Sequence, residues 1–144
     1  MIRVMVVEDS AVTREYLVAL LEEDPALEVA GTARDGLDAV EQAERLKPDV
    51  IVMDVHMPRM NGYEATRRIM EQVPTPIVIV SASSSRDEAF MAFEALQAGA
   101  LMVMEKPGGP DHPDHAETTR RLVETVKLMA EVKVVRRWRK RERP

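Results

Sequence analysis

The sequence predicts an α/β fold, a doubly wound five-stranded parallel sheet in a single domain with an extended C-terminal helix. Three observations predict it. Five short apolar runs alternate with five helix-like stretches, the pattern of parallel strands covered on both faces. Four of those runs end in a polar, chemically capable residue: Glu8-Asp9, Asp54, Ser81 and Glu105-Lys106. A length of 144 residues suits one core and not two.

The elements follow in order. Ile2–Val7 is a buried apolar run, and Val12, Tyr16, Leu17, Leu20 and Leu21 then recur on one helical face until Asp24-Pro25. Leu27–Ala30 is a short second strand. Asp35-Gly36 turns into a helix carrying Leu37, Val40, Ala43 and Leu46, which stops before Pro48. Val50–Met53 is the third strand, and a loop from Pro58 to Gly62 precedes a helix through Ile69. Ile77–Val80 is the fourth strand. Ser83–Ser85 caps a helix bearing Ala89, Phe90, Phe93 and Leu96, closed by Gly99. Leu101–Met104 is the fifth strand, and a long helix runs from about His115 to Arg139.

Composition narrows the function. The chain is 45% hydrophobic and 31% charged, the balance of a globular protein. There is no Cys, hence no disulfide framework and no zinc thiolate site. No run approaches the roughly 18 apolar residues of a membrane span. Strand-like sequence begins directly after Met1, which fits a cytoplasmic protein. The net charge of −5 is uneven: residues 131–144 hold seven Lys/Arg against Glu131 and Glu142, which is +5, so residues 1–130 carry −10. An acidic body disfavours nucleic acid as a partner.

Strands of a parallel sheet point one way, so their polar ends share the edge where open α/β sheets bind ligands. Asp54 follows four buried strand residues and is pinned there. Glu8 and Asp9 arrive from the neighbouring strand, and clustered carboxylates resist ionisation unless a cation compensates. Mg²⁺, which prefers hard oxygen ligands, suits such a group. Lys106 neutralises charge from the opposite side, and the Ser81 hydroxyl can donate to a phosphoryl oxygen. The set is suited to forming an aspartyl phosphate, with Asp54 as nucleophile. As a lone residue Asp54 could equally cap a turn; its company at four strand ends makes the functional reading the stronger one.

The stretches V-V-E8-D9-S, D-V-I-V-M-D54-V-H-M-P58-x-M-N-G62, I-V-I-V-S81-A82 and M-E-K106-P107 together resemble the response-regulator receiver domain over roughly residues 1–130. Within that family the chain is most similar to the regulatory domain of chemotaxis protein-glutamate methylesterase, through E8-D9-S10-A11-V12, the segment from Asp24 to Gly36, P74-T75-P76-I-V-I-V-S and K106-P107-x-G109. The resemblance implies a flavodoxin-like fold with strand order 2-1-3-4-5. It implies Asp54 as phosphoacceptor, and Ser81 and Lys106 as contacts of the phosphoryl group. Asp9 and Asp54 would hold Mg²⁺, with Glu8 acting through water and the backbone carbonyl of His56 completing the ligands. Lys106-Pro107 would be cis. A chemotaxis-type histidine kinase would be the donor. The helix 4–strand 5–helix 5 face would meet an output or methylesterase domain or a second subunit. Self-phosphorylation and autodephosphorylation are the only catalysis expected, since too few residues follow the receiver portion for a hydrolase domain within these 144. Residues 131–144 would form a basic helical extension or linker.

Two positions depart from the family pattern. Glu8 stands where Asp is commoner, and Val103 replaces the aromatic residue often found three positions before the lysine, so the response is expected to run through Ser81 and backbone movement. A Mg²⁺-dependent aspartyl-phosphate phosphohydrolase is the alternative; such enzymes commonly place an Asp two residues after the first, where this chain has His56.

Other candidates are weaker. The His56 imidazole lacks a second nearby His or any Cys to share a metal. His112 and His115 read as a solvated loop leading into a helix. Of Phe90, Met91 and Phe93, some face the core and one is available to a partner. Val132, Val135 and Trp138 recur at intervals of three on the last helix, either a frayed end or a stripe for a partner. No nucleic-acid reading motif accompanies the basic cluster.

Overall fold

A computed structural model describes residues 1–82 and 86–136. Five strands, β1 (Ile2–Val7), β2 (Leu27–Ala33), β3 (Val50–Asp54), β4 (Ile77–Ser81) and β5 (Met102–Glu105), alternate with five helices: α1 (Ala11–Glu22), α2 (Gly36–Leu46), α3 (Gly62–Gln72), α4 (Arg86–Ala98) and α5 (His115–Met129). All strand pairs are parallel, in the order 2-1-3-4-5. The expected doubly wound sheet is therefore the fold observed.

Alternate residues of each strand feed two separate cores, as the period of two requires. Met5, Val7, Ile51, Met53, Ile77 and Ile79 pack on the side of α2, α3 and α4. Val4, Val6, Val50, Val52, Val78 and Val80 pack on the other side with Leu17 and Leu21 of α1 and Leu122 and Val126 of α5. The three central strands are buried on both faces, which is why they read as unbroken apolar runs. Side-chain caps start the helices that flank the site: Ser10 accepts from the Thr13 N–H, Asp35 from Asp38 and Asn61 from Glu64.

Several helical faces differ from expectation. Val12 and Leu37 are exposed, whereas α1 buries the expected Leu17, Leu20 and Leu21, and α2 buries Ala39 beside the expected Ala43. In α4 the buried residues are Ala92 and Ala95, while Phe90, Phe93 and Leu96 are exposed. Small residues let that helix sit close to the core and turn its large side chains outward. The last helix ends at Met129, ten residues short of the expected Arg139. Val132, Val134 and Val135 are β-branched and poor helix formers; beyond the turn, Val134 packs on the core at the α2–α3–α4 side and the Arg136 guanidinium donates to the Gln72 carbonyl. Val132 and Val135 thus form no helical stripe; Trp138 and the rest of the basic cluster lie outside the described residues, as do Ser83–Ser85.

One glycine fixes how closely α3 abuts the end of β3. A Cβ on Gly62 would stand 2.7 Å from the Asp54 carbonyl oxygen and 2.8 Å from the Val55 Cα. The Gly62 N–H donates to the Val55 carbonyl at 2.8 Å. Both obstacles are backbone and cannot swing away. Gly62→Ala is expected to cost about 1–3 kcal/mol, read as a lower urea midpoint with an unchanged slope; a midpoint equal to wild type would show that the approach is not constrained.

Candidate functional site

The strand register sets the site. Val7 pairs with Met53, so Glu8 comes off β1 beside Asp54, the last residue of β3. Asp54 pairs with Val80, one residue before Ser81, and Ser81 pairs with Glu105, one before Lys106. Four neighbouring strand ends therefore bring Glu8, Asp9, Asp54, Ser81 and Lys106 to one edge, as the sequence indicates.

Glu8 and Asp54 are buried and Asp9 is exposed, yet all three carboxylates offer oxygens within 4.8 Å of one another. Two like charges at that spacing repel by roughly 3–4 kcal/mol at an effective dielectric of about 20. The Lys106 ammonium answers part of this. Its Nζ lies 2.7 Å from Glu8 Oε1 and 3.2 Å from Asp54 Oδ2, bridging the two buried acids. Three carboxylates against one ammonium still leave a formal −2.

Main-chain contacts hold these groups in place. The Ser10 N–H donates to Glu8 Oε2 at 3.0 Å, and the Arg14 guanidinium donates to the Glu8 carbonyl at 2.9 Å. The His56 N–H approaches Asp54 Oδ1 at 3.4 Å. The Lys106 N–H donates to the Ser81 carbonyl at 3.0 Å, joining the serine and lysine through their backbones. His56 is exposed at the rim, where its imidazole joins no acidic group that could hold a metal among the described residues. The Lys106-Pro107 peptide is trans, not cis as the resemblance implies; trans is the form an X–Pro bond prefers by about 0.5–1 kcal/mol.

Burial pushes the Glu8 carboxyl above its ordinary range, helped by the adjacent Asp9 and opposed by Lys106. Burial likewise raises Asp54 against the opposing charge and hydrogen bond of Lys106. For Lys106, burial acts to lower the pKa, but the bond to Glu8 and the charge of Asp54 outweigh it and the ammonium is held protonated. The site is thus an anionic pocket with one fixed cation, chemically able to hold a divalent metal beside the Asp54 carboxylate.

Beside it, a largely apolar groove of about 340 Å³ runs between α4 and β5, lined by Ser81, Ala92, Phe93, Leu96 and Val103 among others. Two contributions escape sequence reasoning. Arg14 grips Glu8 across a turn of α1 with no motif to mark it. His115 is half-buried, bonded to Tyr16 and the Gly108 carbonyl, whereas His112 is exposed as expected.

The family model of the response regulator receiver domain matches residues 4–116. The chain is 52% identical to a protein-glutamate methylesterase/protein-glutamine glutaminase of Geobacter metallireducens, over all of this chain and 42% of that relative. It spans about two fifths of the length of the methylesterase relatives it matches. The crystal structure of the response regulator domain of Thermotoga maritima CheB superimposes with a TM-score of 0.80 at 40% identity, covering 92% of this chain and 98% of that one. A chain in the crystal structure of the P1 domain of CheA3 in complex with CheY6 from R. sphaeroides matches with a TM-score of 0.72 at 26% identity, covering 91% of this chain and 98% of that one. The fold, the strand-end acids and these likenesses converge: the chain belongs to the response-regulator receiver domain family and, within it, is of the CheB type.

Proposed function

We propose that this domain is the phosphoacceptor switch of a chemotaxis-type two-component system. A histidine kinase passes a phosphoryl group to Asp54 with Mg²⁺ present, and the phosphorylated domain changes its hold on a methylesterase output domain. The observation that carries the reading is the Lys106 ammonium bridging buried Glu8 and Asp54, with Asp9 alongside. Likeness to CheB domains, and to a structure containing the P1 domain of CheA3, supports the nature of the donor. No helix among the described residues is long and apolar enough to cross a membrane, in keeping with a cytoplasmic role.

The donor set fits Mg²⁺: hard carboxylate oxygens and a residual charge of −2. Glu8, Asp9, Asp54 and the His56 carbonyl would hold the ion, which would supply positive charge to the oxygens of the transferring phosphoryl group. Asp54 attacks in line; its Oδ–P bond forms as the P–N bond of the phosphohistidine donor breaks, and that electron pair returns to the imidazole nitrogen. Lys106 then pairs with a phosphoryl oxygen, and the Ser81 hydroxyl donates to another. Because the Ser81 carbonyl accepts from the Lys106 N–H, both responses reach β4 and β5 together. The face of α4, β5 and α5, where Phe90, Phe93 and Met102 are exposed, would carry the change to the output domain. Residues 1–130 form the switch and residues 131–144 the basic connection to that domain.

Incubation with acetyl phosphate and Mg²⁺ should add the mass of one phosphoryl group to wild type and none to Asp54→Asn. Modification of the variant to the same extent would overturn the assignment. Mg²⁺ alone should raise the melting temperature of wild type: an ion at ten times a millimolar Kd stabilises by about 1.4 kcal/mol. Glu8→Gln should reduce that gain, and an equal gain would remove Glu8 from the ligand set.

An acid retained for chemistry should cost stability. Burial raises the Asp54 carboxyl in the folded state, so the folded state binds its proton more readily than the unfolded state does. Stability from this group therefore falls as pH rises from the ordinary aspartate range through the raised folded value, and the full cost stands above it. Without Mg²⁺, Asp54→Asn should be more stable than wild type by about 1 kcal/mol at neutral pH. The difference should vanish in acid; a gain independent of pH would show that it does not arise from the carboxylate.

A further inference from the structure

The loop that follows Lys106 is held by a contact the receiver chemistry does not require. The Tyr16 hydroxyl, on α1, lies 2.5 Å from the Gly108 carbonyl and 2.9 Å from His115 Nδ1, at the start of α5. His115 Nδ1 is itself 3.2 Å from the same carbonyl, and the two rings stack with centroids 6.3 Å apart and planes at 30°.

Hydrogen counting gives one arrangement. The Gly108 carbonyl only accepts, and at 2.5 Å the Tyr16 hydroxyl must spend its single proton on it. The Tyr16 oxygen is then an acceptor toward His115, so His115 Nδ1 carries a proton and donates to the tyrosine oxygen, with the carbonyl as its second acceptor. Burial, with the nearby Glu23, raises the Tyr16 phenol, which keeps it a donor.

Between Lys106 and Gly108 stands only Pro107, which is buried and whose ring fixes φ. Lys106 is tied on one side by its N–H to the Ser81 carbonyl. On the other side, two residues on, α1 and α5 grip the Gly108 carbonyl. The loop beyond is folded tightly as well: a Cβ on Gly108 would stand 2.5 Å from His112 Cγ, and the His112 N–H donates to the Gly109 carbonyl at 2.9 Å. A grip on the Gly108 carbonyl therefore bears on the main chain of Lys106 across two peptide bonds, with the φ of Pro107 fixed between them.

We infer that Tyr16, oriented by His115, is a positioning residue for Lys106, setting where its ammonium stands relative to Asp54. The inference rests on the proposed role of the site. Tyr16→Phe keeps the ring and removes the hydroxyl. It should slow phosphorylation by acetyl phosphate roughly three- to tenfold, with the melting temperature little changed. In a Lys106→Ala background the same substitution should slow the remaining reaction by less than about twofold. Equal factors in both backgrounds, or a wild-type rate in the single variant, would overturn the inference. The ¹⁵Nζ resonance of Lys106 reads its position without any phosphoryl transfer and should move in Tyr16→Phe. If wild type takes up no phosphoryl group, the proposed function fails, while an unmoved Nζ resonance defeats the positioning role on its own.

Discussion

Everything at the candidate site depends on one ion pair with two anions: the Lys106 ammonium between Glu8 and Asp54. Two buried carboxylates and a third at the rim cannot share an edge with nothing between them, because their repulsion adds to the loss of water. The lysine makes the cluster tolerable without cancelling it. An incomplete match suits the proposed phosphoryl transfer, since full neutrality would leave no demand for a divalent cation. Under the proposed function the lysine would also change partners when a phosphoryl group arrives. A charge held between two carboxylates loses little by exchanging one of them for a more anionic oxygen group.

The sheet supplies the precision that this balance requires. Asp54 is the last paired residue of β3, with β1 and β4 on either side, so its position follows from ladders and not from a loop. Gly62 and Gly36 sharpen the edge further: the chain returning after β3 passes so close that a Cβ on Gly36 would stand 2.2 Å from the Met60 carbonyl oxygen. The exposed Arg59, at φ 65°, lies in that return and reaches Asp35, the cap of α2, at 3.5 Å. Stability invested in the strands is thus traded at their ends for a concentration of charge. Marginal total stabilities make such a trade visible in single variants.

The parts legible in the sequence are those whose signal is local. Val50–Met53 and Ile77–Val80 are buried on both faces, so every residue is apolar and the run announces a strand; the acid or hydroxyl that ends each run announces the edge. α4 was less legible because periodicity shows that a helix has an apolar face without showing which face is covered. Ala92 and Ala95 carry little hydrophobic weight beside Phe90 and Phe93, yet the alanines are the buried pair. Likewise His115 sits in a stretch that reads as solvated, and its partner Tyr16 is 99 residues away, beyond any pattern that spacing can hold. The end of α5 fails for a related reason: Val132 and Val135, three apart, suit an extended segment as well as a helical one, and the contact of Val134 with the opposite core decides.

The groove between α4 and β5 bears on how a signal leaves such a site. Where the family often has an aromatic ring before the lysine, Val103 leaves space bounded by Ala92, Phe93 and Leu96. A ring that turns between two positions can carry a change outward by itself; a valine has too little reach. Under the proposed function, movement here would pass through what is bonded. The continuous path is the Ser81 carbonyl to the Lys106 N–H, which couples β4 to β5 at the site, and from β5 to the exposed Met102. On the far side of Lys106, Pro107 passes the same displacement to Gly108, where α1 and α5 meet it. A shift of one lysine would therefore be felt by β4, β5, α1 and α5 at once, and the open groove would give α4 room to follow.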